Sequence, residues 1–465
     1  MEASGATTSL FETILVPDEL LAATSDGAFV AAMLEVEREL AAAEAELGLI
    51  PPAAATAIAS ACDGLLGQLD PAELGRAGRA AGNPVPPLAR AIGERLDGEA
   101  EAYVHFGATS QDILDSASML VARRAGSLVL AALQRCASSA AALAAGHRST
   151  VLAGRTLLQQ ALPTTFGLKA AGWLVALDGA AGALAAVLEE RLAVQLGGAV
   201  GTAAALGGAG PAVAAALAAR LGLAEPVLAW HTDRTRLGEL AGALGVAAGA
   251  AGKVALDVVL LAQSEVGEAY ESGEGRGGSS TLPHKRNPVS AVLAVAGARR
   301  APPLVASLLA SMLQEHERAA GSWHAEWEAM GELLRAAGGA ASNAADSLEL
   351  LEVVPAAMRA NLEAARGVLL AEAVMIDLAP DLGRRRAHEL VEAAARRAVE
   401  RQTTLSEELA GEEAVVAVRS PERLDMLCDA SSYLGASDEL IDRALASHAA
   451  GAASARRGTH REGSR

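Results

Sequence analysis

The stretch TDRTRLGELAGALGVAAGAAGKVALDVVLLAQSEVGEAY, Thr232 to Tyr270, decides the fold class. Leu237, Leu240, Leu244, Ala247, Ala251, Val254, Val258 and Leu261 recur at spacings of three and four, behind a Thr232-Asp233 pair suited to cap a helix. A helix this long exceeds the globular mean of about 11–12 residues several-fold and needs partners along its length. Its Ala- and Gly-rich faces permit close approach in a bundle.

Similar periodicity predicts long helices over Gln111–His147, Pro163–Leu192 and Asn287–Gln314, the last bent or interrupted at Pro302-Pro303. Alternating β-branched patterns are nearly absent. The expectation is an all-α chain in three domains: an N-terminal helical domain over 1–110, a central long-helix bundle over 111–354, and a small helical domain over 355–449. Residues 450–465 carry no apolar period and are expected to form a frayed tail.

Composition removes several functional classes. The 465 residues hold 38 Lys+Arg against 56 Asp+Glu, a net charge of −18, whose mean field repels nucleic acid and anionic membranes. The longest uncharged stretch, Leu192 to Ala219, is glycine-rich, contains Pro211 and owes its hydropathy to alanine, so no membrane span is expected. The N-terminus lacks the basic and apolar regions of a signal peptide, which makes a cytoplasmic address the expectation. Cys62, Cys136 and Cys428 are widely spaced, and neither a metal-ligand set nor a disulfide framework is expected from them.

One segment does not read as a helix: Gly277-Gly-Ser-Ser-Thr-Leu-Pro-His-Lys-Arg-Asn-Pro288 packs hydroxyls, an imidazole, two cations and an amide into a glycine-rich stretch. Pro288 suits the opening of the following helix, whose N-terminus would hold an anion. The string resembles the signature loop of the fumarase/aspartase superfamily, with Leu282 in place of the usual Met. Ala108–Asp115, Gly154–Thr165 and Gln195–Thr202 are similar to further superfamily blocks. Trp230-His-Thr-Asp-Arg234, Gln314-Glu-His-Glu-Arg318 and Trp323-His-Ala-Glu-Trp327 resemble strings of the bacterial 3-carboxy-cis,cis-muconate cycloisomerases within it.

The resemblance implies a cofactor-free, metal-free homotetramer whose sites are shared between subunits. It implies a small anionic polycarboxylate as substrate and proton transfer beside a carboxylate through a carbanion-like intermediate. Such an intermediate needs cations and preorganised donors. Ser279, Lys285 and Asn287 are the implied catalytic residues, with Ser279 moving the proton and Ser280 as its alternative. Thr109, Ser110, Arg155, Gln160, His105 and Ser280 are the expected substrate-binding residues.

Adenylosuccinate lyases of the superfamily carry two histidines where this chain has Leu157 and Gln160. They carry a third in the region of Gly82-Asn83-Pro84. An amine leaving group benefits from a general acid, whereas a carboxylate can attack or leave unprotonated. The expected activity is therefore lactonisation of 3-carboxy-cis,cis-muconate in aromatic-compound breakdown. Adenylosuccinate lyase is the first rival, and a non-catalytic helical scaffold the second. His316 and His324, close to two tryptophans, are expected to line a dry wall near the substrate.

Overall fold

The structure, a computed structural model, describes residues 10–273, 277–278, 282 and 285–462, with side chains up to residue 451. It is all-α, with four short strands in two antiparallel pairs. The long helices are Ser110–Gly146, Phe166–Glu190, Thr235–Leu261, Val289–Ala310 and Ser322–Glu349.

By contact, the chain separates into two compact units. The first comprises Met1–Gln134, Gly179–Lys253 and Leu293–Ala344; the second comprises Arg135–Asp178, Val254–Val292 and Ala345–Arg465. This partition follows contacts rather than chain order, and its boundaries fall inside the long helices.

In the first unit, close helix packing has a plain cause. Gly238, Gly245 and Gly252 repeat every seventh residue, and a Cβ on them would come within 2.7 Å of Met312, 2.9 Å of Val305 and 2.4 Å of Ala298. Antiparallel helices can approach this closely only where one side lacks side chains. Pro302 and Pro303 lie within the continuous Val289–Ala310 helix rather than interrupting it. Both are exposed, on a side where the carbonyls they free can reach water.

Three expected boundaries move. The helix opening at Thr235 ends at Leu261, not near Tyr270, because Ala269–Glu271 pairs with Leu351–Val353. The helix expected from Pro163 starts at Phe166, because Val151–Thr156 and Gln159–Thr165 form a hairpin. Its tip, Leu157-Leu158, has φ of 50° and 65° and contains neither Gly nor Asn, so ordinary turn chemistry gave no sign of it. The expected tail instead continues the Ser437–Glu462 helix, which alanine and arginine propagate without an apolar stripe. The second unit also holds a helical core of Val374, Leu378, Leu390, Val391, Leu405, Leu409, Val415 and Leu424.

Five segments are long and apolar enough to cross a membrane by length and composition, but only 22% to 44% of each window is buried within the chain. Cys62 and Cys136 are buried free thiols, and burial pushes both up to about 12.

Glu44, on the Asp26–Glu46 helix, is fully buried, and neither carboxylate oxygen has a hydrogen-bond partner. Burial, aided by the charge of Glu37, pushes it from 4.5 up to about 8. A carboxyl raised in the native state contributes stability that is complete below the unfolded value and lost as pH rises through the native one. Stability should therefore fall between those two values by about 1.4 kcal/mol per pH unit at most. Glu44→Met should raise the unfolding midpoint, and more at pH 8 than at pH 5; an equal change at both would show that Glu44 is not held neutral.

Candidate active site

The expected residues divide between the two units. His105, Thr109 and Ser110 belong to the first, while Arg155, Gln160, Lys285 and Asn287 belong to the second. Ser279 and Ser280 lie outside the described residues.

In the first unit, the site is built on the start of the Ser110–Gly146 helix. Asp112, three residues after Thr109, accepts the Thr109 N–H at 3.0 Å and so ties down a donor that the helix leaves open. Its carboxylate also accepts from the N–H groups of Gly197 at 3.1 Å and Gly198 at 2.9 Å and lies 2.7 Å from His231 Nε2. A Cβ at Gly197 would stand 2.5 Å from Ala229, so only glycine permits this approach. The Thr109 loop is thereby fixed to the Gln195–Thr202 block.

Beneath it lies a buried ionic cluster. Arg234 donates to Asp115 at 2.8 and 3.0 Å and to Glu326 at 2.6 and 3.1 Å. Trp323 Nε1, Gln195 and Gln111 also donate to Asp115, at 3.0, 3.2 and 3.1 Å. Against the penalty of complete burial, Arg234 holds Asp115 below the usual carboxylate range. For Glu326, burial outweighs the same guanidinium and pushes it up to about 7. Arg318 spans Gln111 Oε1 at 3.0 Å and the Ala199 carbonyl at 2.8 Å.

His105 adopts a left-handed φ of 59°, and its Nδ1 lies 2.7 Å from the buried Glu37 carboxylate. The expected dry wall does not form in this chain, because His316 and His324 are exposed. His324 packs against the Trp327 ring at 4.7 Å and reaches the Gly82 carbonyl at 3.0 Å. Trp327 in turn lines a cavity of 670 Å³ with Phe29, Met33 and Leu74.

In the second unit, Arg155 is not a free cation awaiting substrate. Two of its nitrogens grip the fully buried Glu268 at 2.7 and 2.8 Å, and Asn361 donates to the same carboxylate at 2.8 Å. A carboxylate with no exposure requires such a partner, so the fold itself commits the guanidinium. Gln160 is exposed and reaches the Asn361 carbonyl at 3.4 Å.

The signature loop closes at its base. Asn287 donates its backbone N–H and side-chain amide to the Gly277 carbonyl at 3.0 and 2.9 Å. Gly277 has φ of 68°, and a Cβ there would lie 2.3 Å from Asn287 O. The Asn287 amide thus holds the loop's neck, a different task from the catalytic contact expected of it. The helix N-terminus after Pro288 is likewise occupied, since the Glu271 carboxylate accepts from Ser290 at 3.0 Å and Ala291 at 2.8 Å. Arg286 lies 4.5 Å over the Tyr270 ring, and Lys285 is exposed. Among the described residues, no group of three His, Cys, Asp or Glu side chains could hold a metal ion.

Gln111, Asp112, Asp115, His231, Arg234, Arg318 and Glu326 do not stand among the expected site residues. Their signal was present in the quoted blocks, as polar and charged residues inside otherwise apolar helical periods.

Comparison with known proteins agrees with this architecture. Residues 16–302 match a family described as lyase, and residues 367–444 match one described as adenylosuccinate lyase C-terminus. The 3-carboxy-cis,cis-muconate cycloisomerase of Pseudomonas aeruginosa is 48% identical over 94% of this chain and 96% of its own length. The nitrosuccinate lyase of Streptomyces davaonensis is 44% identical over 91% of each. The crystal structure of the 3-carboxy-cis,cis-muconate lactonizing enzyme from Pseudomonas putida superposes with a TM-score of 0.90 at 43% identity, covering 96% of this chain and all of that one.

Proposed function

Because this chain belongs to the fumarase/aspartase lyase superfamily, we infer that it is an intramolecular lyase interconverting 3-carboxy-cis,cis-muconate and 4-carboxymuconolactone. The observation that carries this is near full-length identity of 41% to 48% with four cycloisomerases of that name. The reaction is an isomerisation. One substrate carboxylate adds to the conjugated double bond, a C–O bond forms, and a proton is delivered to the neighbouring carbon.

Our reading of the roles follows from the residues. Ser279 or a water it positions moves the proton, and Lys285 supplies positive charge beside it. Thr109 and Ser110, at a helix start, supply donors for a substrate carboxylate. Arg155, held by Glu268, shapes the hairpin carrying Gln160 rather than offering a free charge. The hairpin carries leucine and glutamine where an amine-releasing relative has histidines, which suits a carboxylate nucleophile that needs no acid.

That substrate belongs to protocatechuate breakdown, and we assign the enzyme to the cytoplasm. We also propose a homotetramer with shared sites and the three-domain organisation of residues 1–110, 111–354 and 355–449. Long apolar helices that remain more than half uncovered within one chain support assembly with further copies.

The relation to nitrosuccinate lyase favours a second reading, in which the same carbanion chemistry expels nitrite from a substituted succinate. A single pair of assays separates them. Loss of the conjugated-diene absorbance of carboxymuconate, without nitrite release from nitrosuccinate, supports the cycloisomerase. Efficient nitrite release with an unchanged diene spectrum would overturn it.

A further inference from the structure

We propose that Glu37 is a positioning residue for His105, fixing the imidazole so that its Nε2 presents an N–H to a substrate carboxylate beside Thr109. The inference rests on the proposed cycloisomerase reading and deepens it. Glu37 lies on the Asp26–Glu46 helix with its side chain 1% exposed, whereas the imidazole is 22% exposed. A carboxylate only accepts, so Nδ1 carries the hydrogen across the 2.7 Å contact and Nε2 is the nitrogen left for other partners.

Two further features make the pair more than a buried ion pair. A histidine at φ 59° is strained, and strain of this kind persists where surrounding contacts over-determine it. Gly107, two residues on with φ 69°, leaves room for Leu206 that a Cβ would fill at 2.4 Å. The loop from His105 to Thr109 is thus held at both ends, by Glu37 and by Asp112.

The charged groups facing the imidazole reinforce the protonated form. Burial works against the imidazolium, but Glu37 on one helix and Asp112 on the Ser110–Gly146 helix outweigh it and raise His105 above its ordinary value. His231, on the Trp230–Arg234 segment, engages the Asp112 carboxylate from the other side. A protonated His105 near neutral pH supplies one of the cations that a polycarboxylate needs in a chain of net charge −18.

The test is the pH dependence of KM for carboxymuconate. In the wild type, KM should rise as pH passes the His105 value. In Glu37→Gln that rise should begin about one pH unit lower, so that KM at pH 7.5 is up about tenfold while kcat changes less than threefold. Glu37→Asp should restore part of the shift, and Glu37→Gln added to His105→Gln should do nothing further. Glu44→Met, on the same helix, should leave the profile in place. Imidazole titration followed by NMR, assigned with His105→Gln, reads the same shift without substrate. A wild type inactive on carboxymuconate defeats the proposed function, yet the NMR shift would still stand. An unmoved titration and KM profile in folded Glu37→Gln or Glu37→Asp would overturn the role of Glu37.

Discussion

Ser279→Ala should lower kcat by about 10²- to 10³-fold or more, at least the loss expected when one oxyanion donor is removed. Substrate binding should largely survive, because the polycarboxylate is held by charge elsewhere. A serine hydroxyl is a weak base in water and becomes useful only in a closed loop with donors around the developing alkoxide. Ser279 lies outside the described residues, but the neck of its loop does not: Asn287 holds the Gly277 carbonyl through two hydrogen bonds, and the Lys285 N–H donates to the Leu282 carbonyl at 3.0 Å. A loop anchored so tightly at its base presents its tip reproducibly, which the proposed chemistry requires. Steady-state kinetics at saturating carboxymuconate measures the effect. A variant with near wild-type kcat would remove Ser279 from proton transfer and direct attention to Ser280 or His105.

What the sequence made legible depended on range. Helical periodicity is local, so the long helices from Ser110, Thr235 and Val289 were readable to within a few residues at their starts. The Leu157-Leu158 hairpin was not, since its two strands are short and its turn uses residues that ordinary turn chemistry avoids. The site divides in the same way. His105, Thr109, Ser110 and the signature loop stand out as polar residues in irregular segments. Asp115, Arg234 and Glu326 do not, because each reads alone as a solvated charge, and only the fold brings residues 119 and 92 positions apart into one buried cluster. Arg155 shows the converse: its charge was visible in sequence, while Glu268, which claims that charge, lies 113 positions away.

That buried cluster carries the largest expected effect on stability. Arg234→Met should destabilise the protein by about 3–5 kcal/mol at pH 8, the range for leaving a buried charge without its partner. The side chains of Arg234, Asp115 and Glu326 are 2%, 3% and 4% exposed, so water cannot replace the guanidinium. The pH dependence separates this cause from simple loss of packing. In the wild type, Asp115 is held below its ordinary value and contributes stability above it, lost only as pH falls through the native value. Glu326, raised to about 7, contributes in the opposite sense, with stability complete below its unfolded value and lost as pH rises toward 7. Without Arg234, burial acts unopposed and both carboxyls move above their unfolded values, so the variant gains relative stability as pH falls and the two protonate. The difference between wild type and variant should therefore narrow from pH 8 to pH 5. Urea unfolding midpoints at fixed protein concentration give the comparison, since assembly makes the midpoint depend on concentration. A deficit of equal size at both pH values would mean that the introduced methionine costs only shape. A narrowing deficit would show that the chain carries two buried carboxylates for the sake of one guanidinium, which ties the start of the Ser110–Gly146 helix, through Gln111 and Asp115, to the Ser322–Glu349 helix.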